Sequence, residues 1–188
     1  MNRTGLASTA WLALLTASCA TARVQLQDLD GVAHEPLAVR NGAVHVLLFT
    51  SHECPIANSY APTLRELASS WSGTAVRLFV VHVDPDLTVA AARSHARDYE
   101  LPGAILLDPH QQLARAVGAT KTPEAVVLTQ SAQVYRGRID DQWSSLGSRA
   151  QAATSHDLRD AVAAALAGRA VAATSTPVVG CLMPEARE

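Results

Sequence analysis

The sequence predicts an α/β three-layer sandwich, a central mixed sheet flanked by helices, and three observations predict it. Segments of helical periodicity alternate along the chain with short apolar strands. The two strongest strand candidates, residues 44–49 (VHVLLF) and 75–83 (AVRLFVVHV), are so apolar that both of their faces must be covered. At 188 residues and 48% hydrophobic content, the chain is long enough to enclose one sizeable core. No internal repeat and no long linker divides it.

The elements follow in order. Residues 24–37 read as a leading strand and turn, with Asp30-Gly31 as the turn signal. Asn41-Gly42 turns the chain into the 44–49 strand. A polar turn follows, and Cys54-Pro55 stands where a helix begins, proline suiting its first turn. Ile56, Tyr60, Leu64, Leu67, Ala68 and Trp71 recur at three and four residues, which predicts one buried face of a helix over 55–71. Pro62 inside it predicts a kink or a shifted start. After Ser72-Gly73-Thr74 comes the 75–83 strand. Asp84-Pro85-Asp86 makes turn and cap interactions, a helix runs over about 87–100, and a short strand covers 104–107. Asp108-Pro109 opens a short helix ending near Gly118. Residues 125–129 and 134–139 form a hairpin, and a last helix runs from an N-cap at Ser155 to Gly168. Residues 170–188 lack periodicity and are expected to pack across the domain as a tail.

Composition narrows the function. The net charge is −2, with Lys and Arg scattered, which favours neither nucleic acid nor an anionic membrane surface as partner. With two Phe, three Trp and three Tyr, the core must be built from Ala, Val and Leu. Residues 1–22 read as an export signal: Arg3 carries charge, residues 6–15 are an apolar run too short for a conventional span, and small residues follow. Cleavage after Ala20-Thr21-Ala22 gives a mature start at Arg23. A competing reading takes residues 15–19 as a bacterial lipobox, with Cys19 lipidated and holding the protein on a membrane. Either way the chain is expected to be exported, periplasmic or membrane-anchored, with a domain over 23–169 and a tail over 170–188 that carries Cys181.

Export leaves Cys54 and Cys181, which outside the reducing cytosol can stay bonded or cycle between redox states. Cys54 is the candidate nucleophile: the start of a helix favours the thiolate, and a protonated His52 lowers its pKa further, while Glu53 opposes this. Cys181 is the candidate resolver, and Gly180 before it permits an unusual turn. A static disulfide and two separate thiols are the alternatives. Thiolate and imidazole also suit copper, so His82, with His52, Cys54 and Cys181, is an alternative metal set; a structural or solvated His82 is the simpler reading. Asp140-Asp141 reads as a solvated loop.

Several stretches carry a resemblance. The strand, the Cys-Pro helix start and the later G-A-T-K-T-P-E resemble the thioredoxin-like superfamily. More narrowly, F-T-S-H-E-C-P-I-A-N-S-Y-A-P, Y-R-G-R-I-D-D and the terminal G-C-L-M resemble bacterial exported redoxin-domain proteins, near the alkyl hydroperoxide reductase and thiol-specific antioxidant family. The resemblance spans about 24–184. It implies a thioredoxin-like fold, antioxidant or thiol-disulfide oxidoreductase chemistry with no organic cofactor, and thiols, disulfides or peroxide as partners. It also implies a cis Pro123 against Cys54, with Thr122 and Pro123 contacting the substrate and Ser51 offering a hydroxyl where peroxiredoxins have Thr. Ala57 stands where thioredoxins carry their second cysteine. Leu47 replaces a peroxiredoxin proline, and the supporting Arg is missing near residues 121–123; Arg136 and Arg138 are the nearest. A copper-delivery protein or a non-catalytic binding module on the same fold are the alternatives.

Overall fold

The computed structural model describes residues 23–186. The readings on residues 1–22, the export signal and Cys19 included, lie outside the described residues. In chain order the elements are β1 (Leu26–Gln27), β2 (Ala33–His34), β3 (Val44–Thr50), α1 (Pro55–Ser59), α2 (Ala61–Ser70), β4 (Val76–His82), α3 (Val89–Asp98), β5 (Ala104–Leu107) and α4 (Gln112–Val117). There follow β6 (Lys121–Thr122), β7 (Glu124–Leu128), β8 (Gln133–Gly137), β9 (Trp143–Ser145), β10 (Ser148–Arg149), α5 (Asp157–Leu166) and β11 (Cys181–Leu182).

The central sheet has the order β5-β4-β3-β7-β8. β3 pairs parallel with β4 and antiparallel with β7, so the sheet is mixed, as expected. Every residue of β3 is buried, because alternate side chains enter two separate cores. Val44, Val46 and Leu48 face the side packed by Tyr60, Leu64, Leu67, Trp71, Leu158 and Val162. Leu47 and Phe49 face Phe79, Val81, Leu113 and Val117 on the other.

Three expectations are corrected. The single helix over 55–71 is two helices: Tyr60 (φ −85°, ψ −4°) closes α1, and Pro62, the residue that signalled a kink or shifted start, lies in the first turn of α2, where its missing N–H costs nothing. Ser155 is not the N-cap of the last helix: α5 starts after His156, and the Ser155 hydroxyl donates instead to Asp157 at 3.0 Å. Asp140 is not a solvated loop acid. It is 5% exposed and accepts a hydrogen bond from the Tyr60 hydroxyl at 2.7 Å, while its neighbour Asp141 accepts the Thr154 and Ser155 amides.

The 170–188 segment does cross the domain. The Arg136 amide donates to Thr174 O at 3.0 Å, the Thr176 amide returns a bond to Arg136 O at 3.2 Å, and the Thr176 hydroxyl lies 2.7 Å from that of Tyr135. Gly137 lets the tail come this close: a Cβ there would stand 2.1 Å from Thr176 Oγ1 and 2.8 Å from its amide nitrogen. Beyond this crossing, β11 pairs antiparallel with β6, setting Cys181 opposite Thr122 and Leu182 opposite Lys121.

Candidate active site

Two chain reversals bring the site together. The first is the turn after β3, where the Cys54 amide donates to Ser51 O at 3.1 Å and Cys54 becomes the N-cap of α1. Its sulfur takes the place of the usual capping oxygen and accepts the Ala57 amide at 3.4 Å. The second is the cis Thr122–Pro123 peptide between β6 and β7. Cys54 Sγ donates to the Thr122 carbonyl at 3.2 Å, so the thiol, 2% exposed, touches the segment that carries β11.

The two thiols act on each other. Burial pushes the Cys54 pKa up, but hydrogen bonds from the Cys181 thiol, the Ala57 amide and Thr122 outweigh it, and the pKa ends below the ordinary thiol value. Cys181 moves the other way, to about 11: burial raises it first, and its hydrogen bond and proximity to the Cys54 sulfur raise it again. Cys54 is therefore the more acidic of the two thiols and Cys181 the less acidic. Both cysteines are free.

Beside this pair lies a polar network centred on Asp84, which is 8% exposed. Ser51 Oγ donates to it at 2.5 Å, the His52 amide at 3.2 Å and His82 Nδ1 at 3.4 Å, and His52 Nδ1 lies 3.3 Å away. Burial alone would raise the Asp84 pKa; His82, Ser51 and His52 bring it down to about 2. His95 packs edge-on to His82 at 5.0 Å and donates through Nε2 to Asn58 at 2.9 Å. Burial, with His82 and His52 nearby, lowers the His95 pKa to about 4. Asp84, expected to make turn and cap interactions, is thus also the hub of a buried network.

The structure brings Cys54, Cys181, Thr122 and Pro123 together. Ser51 and His52 turn to Asp84, and neither His52 nor Glu53 is among the main influences on the Cys54 thiol. His82, fully buried, belongs to the Asp84–His95 group. Among the described residues no three His, Cys, Asp or Glu side chains are arranged to hold a metal ion. Arg136 binds Glu124 at 3.4 Å, and Arg138 binds Asp157 at 2.8 Å, so both guanidinium groups are engaged away from Cys54. Asn58 and His95 were missed by sequence reasoning. The hint was the helical spacing that turns Asn58 toward the Cys54 turn, where its side-chain amide donates to His52 O at 2.9 Å.

A profile of the AhpC/TSA family matches residues 18–138, more than half of the chain. The chain belongs to that family. Among solved structures, this AhpC/TSA member is similar to a hypothetical protein from Sinorhizobium meliloti, at 25% identity and TM-score 0.75, covering 87% of this chain and 91% of the other. An uncharacterised conserved protein from Geobacillus kaustophilus gives 24% identity and TM-score 0.74, covering 89% and 91%. A secreted Mycobacterium tuberculosis disulfide oxidoreductase homologous to E. coli DsbE shares the fold at 18% identity and TM-score 0.54, covering 80% and 99%. No curated protein matches. The fold is therefore thioredoxin-like, and family and fold together support an oxidoreductase. Among the described residues no helix is long and apolar enough to cross a membrane.

Proposed function

We propose that the protein is an exported thiol-disulfide oxidoreductase that works with one nucleophilic cysteine, Cys54, and one distal resolving cysteine, Cys181. The observation that carries this reading is the β6–β11 pairing, which sets Cys181 opposite Thr122, the residue whose carbonyl accepts the Cys54 thiol. The Cys54 thiolate attacks a partner disulfide, forming a mixed disulfide and releasing one partner thiolate. Cys181 then loses its proton and attacks Cys54 Sγ, releasing the second partner thiolate and leaving a Cys54–Cys181 disulfide. Two electrons have passed to the partner, and an external dithiol returns them.

The order of these steps follows from electrostatics. While Cys54 is a thiolate, it holds the proton on Cys181 and keeps that sulfur a poor nucleophile. Once Cys54 is consumed in the mixed disulfide, its charge is gone, burial alone opposes ionisation of Cys181, and the resolving attack becomes easier. Export is supported by the leader-like residues 1–22 and by a mature chain whose two cysteines form this pair. The engaged Arg136 and Arg138 favour disulfide over peroxide as the substrate.

The test is differential alkylation with mass mapping across a redox titration. A Cys54–Cys181 disulfide that forms and reduces reversibly is expected, together with loss of disulfide reduction in Cys54→Ser and accumulation of the mixed disulfide in Cys181→Ser. Full reductase activity in Cys54→Ser would sink the reading.

A further inference from the structure

At the N-terminal ends of β3 and β4, away from Cys54, a cavity of about 530 Å³ opens between the sheet and the leading segment. That volume falls in the range of small-molecule sites. The sheet contributes His45 and Arg77, which stand opposite each other in the parallel register, and Phe79, whose ring packs edge-on against that of His45 at 5.4 Å. The leading segment contributes His34, Glu35 and Arg40. About 16 Å of strand separates His45 from Thr50, and Cys54 lies beyond that.

His45 is 4% exposed, yet only one of its ring nitrogens is bonded. Nδ1 lies 2.8 Å from the Pro36 carbonyl, which can only accept, so the proton sits on Nδ1 and Nε2 carries a bare lone pair. Burial lowers the His45 pKa, against the pull of the Pro36 bond, and holds the ring neutral. Nε2 is not sealed in the interior as His82 Nε2 is, so its lone pair opens on the cavity that the ring lines. A buried acceptor of this kind calls for a donor. The charges around it call for an anion. Arg77 is exposed and forms no ion pair among the described residues, Arg40 is held only loosely by Glu35 at 3.9 Å, and His34 is engaged by Asp28 at 2.8 Å.

We propose that this cavity binds a small hydroxylated organic anion, its charge held by Arg77 and Arg40 and its hydroxyl donating to His45 Nε2. Guanidinium groups hold a carboxylate or a phosphate ester through paired N–H donors, and either chemistry meets the requirement. An anion without a donor leaves Nε2 unpaired, and a neutral polyol leaves Arg77 unused. The site stands apart from the redox reading, since neither thiol and no residue of the Asp84 network lines it.

The test is titration of the full chain, followed by calorimetry and by the histidine ring resonances in NMR. Gluconate and glycerol phosphate are the carboxylate and phosphate probes, and the tighter of the two identifies the anionic group. Saturable binding in the millimolar range is expected, moving the His45 ring resonance while that of His82, at the other end of β4, stays fixed. Sorbitol, which lacks the charge, and hexanoate, which lacks the hydroxyl, should bind at least about tenfold more weakly. Arg77→Gln should weaken binding about tenfold and leave disulfide reduction unchanged, and His45→Phe should erase the preference for gluconate over hexanoate. Circular dichroism checks that His45→Phe is folded; Arg77→Gln changes an exposed position and decides the matter without it. Absence of saturable binding by both probes, equal binding of gluconate and sorbitol or hexanoate, or unchanged affinity in Arg77→Gln would overturn the proposal.

Discussion

The lowered pKa of Cys54 comes from three neighbours, one of them an amide in the first turn of its own helix. α1 spans only Pro55–Ser59, and the sulfur is held by the Ala57 amide, Thr122 and Cys181. Removing the Cys181 donor should therefore raise the Cys54 pKa, and the midpoint of a pH–alkylation profile should move upward in Cys181→Ala. The reciprocal change has the opposite sign. In Cys54→Ser the charge and its acceptor are lost, so Cys181 should fall from about 11 toward an ordinary thiol, with burial alone holding it up. Thiolate absorbance against pH reads both, and shifts of the same sign in the two variants would contradict this coupling of the two thiols. Cys54, Thr122 and Pro123 were legible as site residues because a Cys-Pro helix start and a Thr-Pro before a strand are local patterns. Gly180 was visible only as a flexible residue. Its φ is not positive; a Cβ there would lie 2.2 Å from the Thr122 carbonyl oxygen, and no local pattern records a carbonyl so far away in the chain.

At the scale of elements, periodicity was a good guide wherever the partner surface was the core. β3, β4 and β5 and the amphipathic helices lie where alternation of apolar runs put them. The break at Tyr60 and the start of α5 after His156 were decided by caps and turns that compete within one or two residues. β6 and β11 were invisible because each is two residues long and finds its partner across the molecule. The tail's docking on β8 should fail first when its clearance is removed. Gly137→Ala sets a methyl against Thr176, and the Arg136 and Arg138 amides, which donate to Thr174 O and Thr176 Oγ1, should lose protection in hydrogen exchange while β3 keeps its own. Tyr60→Phe tests the contact between α1 and the loop before β9. It strips the buried Asp140 carboxylate of one donor, leaving the Gln142 amide at 2.9 Å, and should cost about 1–3 kcal/mol in urea denaturation.

The whole molecule carries the acid sensitivity of one of its buried histidines, His95. His95 faces His82, His52, Asp84, Asn58 and Tyr99, and its pKa falls to about 4 from an ordinary value near 6.5. The unfolded chain therefore takes up this proton at a higher pH than the folded one. The stabilisation is complete above about pH 6.5 and is lost as the pH falls toward 4, at up to roughly 1.4 kcal/mol per pH unit. Asp84, held at about 2, contributes stability that is present above its ordinary value of 3.8 and is lost below that, as the pH falls toward 2. Denaturation curves collected between pH 7 and 4 should show this slope, and His95→Gln should flatten it. An undiminished slope in that variant would assign the sensitivity elsewhere. None of this was legible in the sequence, where His52, His82 and His95 are scattered and only the fold makes them neighbours.

The two flanks of the five-stranded sheet share a further property. Asp28 bridges antiparallel to Leu106 on the β5 flank, and Ser175 bridges parallel to Arg136 on the β8 flank. Each outer strand thus has part of its exposed hydrogen-bonding row covered by a segment from one end of the domain. An uncovered row invites pairing with another molecule. Whatever loosens the tail along Arg136, as Gly137→Ala is expected to do, should therefore make the protein stickier toward itself, and light scattering at rising concentration would register it as growing particle mass.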